Sequence, residues 1–426
     1  MPSISIAPLL APVLVFASGH ALAESTPQQG ATIEACATAP QPIAELLRAV
    51  PLVDGHNDLI IHFIDSETGD FKNPDAYDIS AQTTGQTDIP RMREGMLGGA
   101  IFTIWTSDDN APEAGLERSI SLFHELASHS SGDLAVVTSP DELVAAHEAG
   151  KIAIIMGLEG GNPVEGDLGR LAWMQERGVA EMGLVWSTNG LGTAGRNADT
   201  SEGLTELGTQ VVREMNRLGM IVDLSHASPA TVRDVTAMTT APVIDTHAVA
   251  GPYAYGDERR VDASMRAIAS TGGLVMPMFM PDGIDPEYKK WIDLRNAELA
   301  AVAVRVLGEE KGQYPLQYSP WPAGVVREME MWIAANPPPV SSIADIANVY
   351  DYVRNLVGID HIGIGSDFDG MGFHPSSWHP AMRDVSQVPE LLEELRRRNW
   401  SDADLKKLAG ENFLRVWREI LSKATH

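Results

Sequence analysis

Short apolar runs alternate with longer amphipathic stretches along most of the chain. The runs lack the apolar–polar alternation of a half-exposed strand, which is typical of strands that are buried on both faces of a parallel sheet. Eight runs are therefore predicted to be strands: 52–59, 98–105, 152–158, 182–186, 220–224, 242–246, 272–279 and 361–366. Between them, apolar residues recur at helical spacing in 116–127, 139–149, 168–177, 203–218 and 228–238.

This order of elements predicts an α/β fold, with a (β/α)8 TIM-like barrel favoured and a doubly wound open sheet as the alternative. Residues 281–345 form an insertion before the last strand, with a helical part at 289–307 and a proline-rich part at 315–339. The sequence of residues 401–404 is typical of a helix cap, and it precedes an apolar-periodic run that ends near Leu421. We therefore expect a C-terminal helix after the barrel.

The N-terminus is typical of an exported protein. Residues 1–23 contain an apolar run that is too short to span a bilayer, and Ala21-Leu22-Ala23 matches a signal-peptidase site, although no basic residue precedes the run. We expect a signal peptide at 1–23, a polar leader at 24–40 and one barrel domain at 41–426. The C-terminus carries no apolar tail of the kind that a lipid-anchor signal needs, so we predict a periplasmic or secreted protein without a membrane anchor.

Composition excludes some classes of partner and site. The 426 residues include 58 acidic and 31 basic side chains, a formal charge of −27 that repels phosphate backbones and disfavours nucleic acid as a partner. The apolar fraction of 44% is ample for a packed core. Cys36 is the only cysteine, so neither an intrachain disulfide nor a cysteine-rich zinc site can form. A metal would have to be held by His, Asp and Glu.

Metal-ligand side chains follow several of the predicted strands. Barrel enzymes place their chemistry at the carboxyl ends of the strands, and five of the eight predicted strands carry a His or an acid there. These residues are His56 and Asp58 after the first strand, Glu159 after the third, His226 after the fifth, His247 after the sixth and Asp367 after the eighth. A single strand-end His is more often a structural residue, and an Asp before Gly usually makes a turn. The coincidence of all of them at one end favours a metal site.

Imidazole and carboxylate oxygen are the ligands that zinc accepts when no thiolate is present. Two cations in one pocket also need an anion between them, and no lysine that could be carbamylated lies at a strand's carboxyl end. Glu159 is therefore the best candidate for a bridging ligand. Among the other histidines, His361 lies at the wrong end of a strand, His374 and His379 are candidates for the rim of the site, and His62 stays undecided.

At these motifs the sequence resembles the membrane dipeptidase (renal dipeptidase) family of zinc peptidases. The shared motifs occur in order from about residue 45 to 420: Asp54-Gly-His-Asn-Asp58, Gly157-Leu-Glu-Gly-Gly161, Asp223-Leu-Ser-His226, Ala241-Pro-Val-Ile244 followed by His247, Gly365-Ser-Asp-Phe-Asp-Gly370 and Glu411-Asn-Phe-Leu-Arg-Val416. Each motif is common by itself, but the ordered set is highly specific.

The resemblance implies a barrel of the metal-dependent hydrolase type, often dimeric, that cleaves dipeptides and tolerates a D residue at the C-terminal position. It further implies a role for each site residue. His56 and Asp58 would bind one Zn2+, His226 and His247 the other, and Glu159 would bridge them. Asp367 would be the acid/base that serves a water activated between the two cations, and Arg260 would hold the free carboxylate of a small peptide substrate.

Two departures from the family pattern bear on the substrate. Trp186 stands where many members carry a His that contacts the scissile group, so Trp186 is a predicted substrate contact of different reach. The spacing from His247 to Arg260 is about two residues longer than usual, which makes Arg259 an alternative carboxylate ligand. Two other functions stay open: another barrel metallohydrolase of lactonase or amidase type, and an exported binding protein with an inactive site.

Overall fold

Parallel strands form the centre of the fold in a computed structural model of the chain, which describes residues 41–64, 77–105, 113–164, 166–196, 198–250, 258–309 and 320–425. The strands are β1 (Leu52–Asn57), β2 (Leu97–Trp105), β3 (Leu134–Val136), β4 (Ile152–Glu159), β5 (Glu181–Gly183), β6 (Ile221–Asp223), β7 (Ile244–Ala248) and β8 (Leu274–Pro277). They form two four-stranded sheets in the orders β1-β2-β4-β3 and β5-β6-β7-β8.

Parallel bridges join these two sheets into a closed ring. Ile364 pairs with Asp54 of β1 and Ile362 pairs with Val275 of β8, so residues 362–368, here called the closing segment, complete the ring on one side. On the other side Val179, just before β5, pairs with Met156 of β4. The order of neighbours is that of a (β/α)8 barrel, as predicted. The ring consists of β1, β2, β4, β5, β6, β7, β8 and the closing segment, which takes the place of the eighth strand, while β3 lies beside the beginning of β4.

Fifteen α-helices surround or extend this ring in the described part of the chain. They are α1 (Ile43–Ala49), α2 (Ile89–Glu94), α3 (Glu113–His129), α4 (Pro140–Glu148), α5 (Gly169–Gln175), α6 (Glu206–Leu218), α7 (Pro229–Met238), α8 (Glu258–Ser270), α9 (Pro281–Ile284), α10 (Pro286–Leu307), α11 (Ala323–Ala335), α12 (Ile343–Val357), α13 (Val388–Arg397), α14 (Asp402–Lys406) and α15 (Asn412–Lys423). Several begin at a Ser or Thr whose hydroxyl accepts a hydrogen bond from the first turn, as Ser139, Thr205 and Ser228 do before α4, α6 and α7. None of the described helices is both long enough and apolar enough to cross a bilayer.

Helix α15 covers the amino-terminal end of the barrel. Its buried residues Phe413, Val416, Trp417 and Ile420 recur at helical spacing and pack with the apolar residues that begin the strands. Full burial of such a side chain contributes about 1.5–3 kcal/mol. Capping at Ser401, predicted from the sequence, is present as a reciprocal capping box with Asp404. Since α15 occupies one end of the barrel, the other end is left for chemistry.

Two elements differ from the sequence expectations. Strand β3 was not predicted, because three residues are too few to show a periodicity, and it pairs only with the beginning of β4. The proline-rich part of the insertion contains helix α11, because its prolines flank the helix and leave 323–335 free to form it. Val325 and Met329 of α11 pack against α10 in a small separate core. The predicted signal peptide and leader lie outside the described residues.

Candidate metal site

The side chains that were predicted as metal ligands, and Asp367, which was predicted as the acid/base, lie at one end of the barrel. His56 is the penultimate residue of β1 and Asp58 directly follows that strand, while Glu159 is the last residue of β4 and His247 lies in β7. His226 follows β6, and Asp367 belongs to the closing segment. All are buried except His226, which is partly exposed. Parallel strands bring their carboxyl ends to the same edge, so residues that are distant in sequence meet there.

The carboxylate of Glu159 lies at the centre of three imidazoles. Its Oε1 atom is 2.7 Å from Nε2 of His226, 3.3 Å from Nε2 of His247 and 3.8 Å from Nε2 of His56. The two Nε2 atoms of His226 and His247 are themselves 2.7 Å apart. A single carboxylate within reach of imidazoles from three strands has the position that a bridging ligand requires.

A second cluster of donors continues from His56 toward the closing segment. Nε2 of His56 is 3.4 Å from Oδ2 of Asp58, and one ligand atom each of His56, Asp58 and Asp367 lie within 4.8 Å of one another. The same limit holds for His56, Glu159 and His247. His56 therefore belongs to both clusters, and the two groups of donors are adjacent.

The backbone is in the left-handed conformation at two of these residues. His226 has φ 62° and Asp367 has φ 60°, which non-glycine residues rarely adopt and which costs on the order of 1–3 kcal/mol each. Hydrogen bonds hold both: the carbonyl of His226 accepts from Gly195, and the amide of Asp367 donates to the carbonyl of His56. Strain of this kind clusters at functional sites. The left-handed conformation points a side chain in a direction that it could not take from an extended strand.

The protonation preferences of these groups conflict. Burial alone would lower the pKa of His56, but the charges of Asp58 and Glu159 raise it well above its usual value. Burial would raise the pKa of Glu159, yet hydrogen bonds from two imidazoles hold it well below the usual range. Burial and the positive charge of His56 lower the pKa of His247, while burial and the charge of Asp58 raise that of Asp367.

These donors fit a divalent cation. Nε2 of His56 is buried and has no hydrogen-bond partner among the described residues, although three acidic side chains surround it. Lone pairs of imidazole and carboxylate that converge at 2.7–3.8 Å repel one another unless a proton or a cation lies between them. Nitrogen and oxygen ligands without thiolate are the set that zinc accepts.

The predicted substrate residues fall partly outside the described structure. Arg259 and Arg260 belong to the first turn of α8, but their side chains lie outside the described part of the chain, so the carboxylate clamp stays a prediction. Trp186 is half-buried, and its ring centre is 6.1 Å from that of His226. It also makes an edge-to-face contact with Trp105, at 5.2 Å between ring centres.

Sequence reasoning missed two residues beside this cluster. Trp105 ends β2, directly opposite Glu159 in the register of β2 and β4, and its buried indole nitrogen has no partner among the described residues. Its place at the carboxyl end of a strand marks it as a candidate site residue, but tryptophan is not a metal ligand and was not considered. Arg196 pairs with Asp245 at 3.0 Å and donates to the carbonyl of His247 at 2.7 Å. It lies in a loop, where no spacing in the sequence marks it.

The undecided histidines have structural surroundings. His62 is buried, pairs with Asp369 at 2.9 Å and stacks on Tyr77. His379 is fully buried and shares a hydrogen bond with Ser341, so it does not line an open rim. His374 stacks on a tryptophan of the insertion. His361 contacts the carbonyl of Gly273 at the start of β8, the end opposite to the predicted metal ligands.

Comparisons with known proteins agree with this geometry. The family model "Membrane dipeptidase (Peptidase family M19)" matches residues 41–426. Dipeptidase 3 of Rattus norvegicus is 30% identical over 385 residues, which cover 88% of this chain and 66% of the rat protein, slightly less than two thirds of its length. Dipeptidase aclJ of Aspergillus oryzae is 28% identical over 396 residues, covering 89% of this chain and 80% of that protein.

Solved structures show the same fold. The probable dipeptidase PvdM from Pseudomonas aeruginosa aligns with a TM-score of 0.69 at 24% identity, covering 90% of this chain and 98% of that one. A metallopeptidase from Rhodobacter sphaeroides, solved with a phosphinate mimic of the dipeptide L-Ala-D-Ala, aligns with a TM-score of 0.63 at 24% identity, covering 87% and 99%. With a family model that matches nearly the whole described chain, the protein belongs to the membrane dipeptidase family of metallopeptidases.

Proposed function

We propose that this chain is a zinc-dependent dipeptidase with two ions, one held by His56 and Asp58, the other by His226 and His247, and with Glu159 between them. The observation that carries the proposal is the position of the Glu159 carboxylate within 2.7–3.8 Å of three imidazole nitrogens. Two divalent ions in such a site would supply a water of lowered pKa and polarise the scissile carbonyl.

Asp367 is the group we assign to proton transfer. Burial and the charge of Asp58 raise its pKa well above the usual value, which suits a carboxylate that must accept a proton and then release it to an amine. The left-handed backbone and the bond from its amide to the carbonyl of His56 hold it against the ligand cluster. Its carboxylate lies within 4.8 Å of the ligand atoms of His56 and Asp58, which supports a role in transferring a proton beside the ions.

The substrate side of the proposal has two parts. Arg260, or Arg259 in its place, would bind the free carboxylate of the dipeptide as a bidentate clamp and align the scissile bond. The edge-to-face pair of Trp105 and Trp186 would contact the substrate beside His226, where the indole N–H of Trp105 is available to a carbonyl or carboxylate oxygen. Tolerance of a D residue at the C-terminal position, export from the cytoplasm and a homodimer belong to the same proposal.

Chelation and zinc add-back test the proposal. Purified protein is stripped of metal, assayed on L-L and L-D dipeptides that include L-Ala-D-Ala, and assayed again after Zn2+ is restored. We expect activity to vanish on stripping and to return with about two ions per chain, and we expect dipeptide amides, which lack the free carboxylate, to be poor substrates. Comparing Arg260→Met with Arg259→Met identifies the clamp as the variant whose KM rises.

Two outcomes would contradict the proposal. Full activity after complete removal of metal would exclude the assigned chemistry. Metal binding without turnover on the whole panel would favour an inactive binding protein, and hydrolysis of a neutral ester without dipeptide cleavage would favour a lactonase type.

A further inference from the structure

One hydroxyl group lies beneath two of the proposed metal ligands. Thr246 is fully buried in β7, and its Oγ1 is 3.1 Å from Nδ1 of His247 and 3.4 Å from Nδ1 of His56. The Nε2 atoms of the same two rings face Glu159 on the other side. The two imidazoles come from β1 and β7, which belong to different sheets, yet Thr246 lies beside the Nδ1 atoms of both.

The direction of the hydrogen bonds follows from counting protons. A threonine hydroxyl has one proton to donate and two lone pairs that can accept. Oγ1 of Thr246 lies 3.0 Å from Oδ2 of Asp223, and a carboxylate can only accept, so the hydroxyl proton points to Asp223. The other oxygen of Asp223 accepts from the amides of Ser225 and Thr246, which holds this carboxylate in place. The hydroxyl of Ser225 also lies 2.9 Å from Oγ1 of Thr246, but its proton has a carboxylate oxygen of Asp223 and one of Asp245 at the same distance of 2.9 Å. With that proton on a carboxylate, the lone pairs of Thr246 are left to accept from the rings of His56 and His247.

We infer that Thr246, held by Asp223, is a positioning residue that orients both His56 and His247. By accepting at both Nδ1–H groups, its hydroxyl selects the ring tautomer in which both Nε2 lone pairs face the ions. Zinc-bound histidines usually place such a partner on the second ring nitrogen, and loss of that partner commonly weakens metal binding about 10- to 100-fold. In this protein one neutral hydroxyl lies beside two rings, so its loss removes the acceptor of His247 and one of the two threonine acceptors of His56. The inference rests on the proposed two-ion site.

A second buried threonine supplies a matched control. Oγ1 of Thr103 is also 3.4 Å from Nδ1 of His56, and among the described residues it is hydrogen-bonded to no second imidazole, so His56 keeps Thr246 as an acceptor when the Thr103 hydroxyl is lost. Thr103→Val and Thr246→Val make the same change of hydroxyl to methyl at two buried sites beside His56. Only the second removes the acceptor of His247.

The experiment compares the zinc affinities of wild type, Thr246→Val, Thr246→Ser and Thr103→Val, by competition with a chromophoric chelator. The absorption spectrum of the Co2+-loaded protein reports the ligand geometry independently of activity. We expect Thr246→Val to weaken binding of at least one ion about 10- to 100-fold and to change the Co2+ spectrum. We expect Thr246→Ser, which keeps the hydroxyl, and Thr103→Val to stay close to wild type.

Equal affinities and spectra for wild type and Thr246→Val would overturn the inference while leaving the proposed function intact. A wild-type protein that binds no metal would instead overturn the proposed function. Should Thr246→Val fail to fold, Thr246→Ser and Thr246→Ala give the same comparison, because they differ only in the hydroxyl. Equal zinc affinity in that pair would also overturn the inference.

Discussion

At the scale of the residue, burial and immediate neighbours decide what each ionisable side chain does. His56 and His379 are both buried, but His56 faces carboxylates that raise its pKa, whereas burial lowers the pKa of His379 to about 4. The second histidine accepts a hydrogen bond from the amide of Ala381 at Nδ1 and shares one with Ser341 at Nε2. The first is a candidate ligand, and the second is a neutral structural group.

Asp367→Asn tests the residue that we assign to proton transfer. The amide keeps the size of the side chain but cannot accept a proton, so turnover should fall by roughly 10²-fold or more. Metal content, measured by atomic absorption, should stay at the wild-type level. Activity near that of wild type would show that Asp367 is not the acid/base, and loss of an ion would show that it is a ligand instead.

His379→Gln tests the pH dependence of stability. The pKa of His379 is about 4 in the folded protein and near 6.5 when unfolded, so the unfolded chain binds the extra proton between these values. The stabilising contribution is therefore complete above pH 6.5 and is lost as the pH falls toward 4. A shift of this size corresponds to on the order of 3 kcal/mol.

Denaturant unfolding of wild type and His379→Gln at pH 7 and pH 4.5 measures this effect. The variant should lose less unfolding free energy in acid than wild type does, because glutamine does not titrate. His129→Gln, at an exposed position, is the control for removing one imidazole. Parallel pH profiles for wild type and His379→Gln would rule out the assigned role of burial.

At the scale of the element, the two ends of the barrel have different tasks. The carboxyl ends of the strands and the loops that follow them carry the proposed ligands, and the loop after the closing segment approaches two of the acids closely at Gly370. The amino-terminal end is covered by α15 and contributes packing. Substitutions at the carboxyl end should therefore mainly lower activity, and substitutions at the amino-terminal end should mainly lower the free energy of unfolding.

Gly370→Ala should impair the site with little effect on the rest of the fold. A Cβ atom at this position would collide with the side-chain oxygens of Asp58 and Asp367, so both carboxylates must move. We expect weaker metal binding and a fall in turnover of at least about 10-fold, since even small displacements of catalytic groups are costly. Gly132→Ala is the matched control, because nothing lies within 4 Å of its added methyl group. Wild-type activity in Gly370→Ala would refute this placement of the two acids.

Trp417→Ala should show the opposite pattern. This side chain of α15 is almost fully buried among the residues that begin the strands, and truncation of a buried tryptophan costs about 3–5 kcal/mol. The unfolding free energy should fall by this amount, while kcat and metal content of the folded variant should stay near wild type. A large loss of kcat without loss of stability would contradict the separation of the two ends.

At the scale of the whole molecule, the proposed ligands connect distant parts of the chain. They range from His56 to Asp367 and come from both four-stranded sheets, which are joined by isolated bridges in the described structure. Ions bound between the sheets would hold the ring closed where the ladder of hydrogen bonds is sparse. Ligands that bind only the folded state add stability in proportion to their affinity and concentration.

Removal of metal should therefore lower the thermal stability of the entire domain. Free zinc at 1,000 times its dissociation constant would contribute about 4 kcal/mol. Calorimetry should show a lower Tm for chelated protein and recovery of the original Tm when zinc is restored. An unchanged Tm after verified removal of the ions would contradict a site that links the two sheets.

Much of the fold was accessible from the sequence alone. Seven of the predicted strands fall on strands of the ring, and the eighth falls on the closing segment. Strands that are buried on both faces carry continuous apolar runs, and in this chain polar residues follow those runs at the carboxyl ends. The residues from His56 to Asp367 were predicted for the same reason, since the carboxyl ends of parallel strands meet. The structure brings them together, while their individual roles stay predictions.

What the sequence by itself determined is the order of strands and helices, the end of the barrel that carries chemistry and the types of ligand available there. Only the tertiary structure decided that Thr246 lies beneath two imidazoles, that Trp105 meets Trp186 and that Arg196 holds the carbonyl of His247. These contacts depend on the stagger of neighbouring strands and on the path of the loops. Periodicity records which face of a strand is buried, but it does not record which residue of another strand lies opposite.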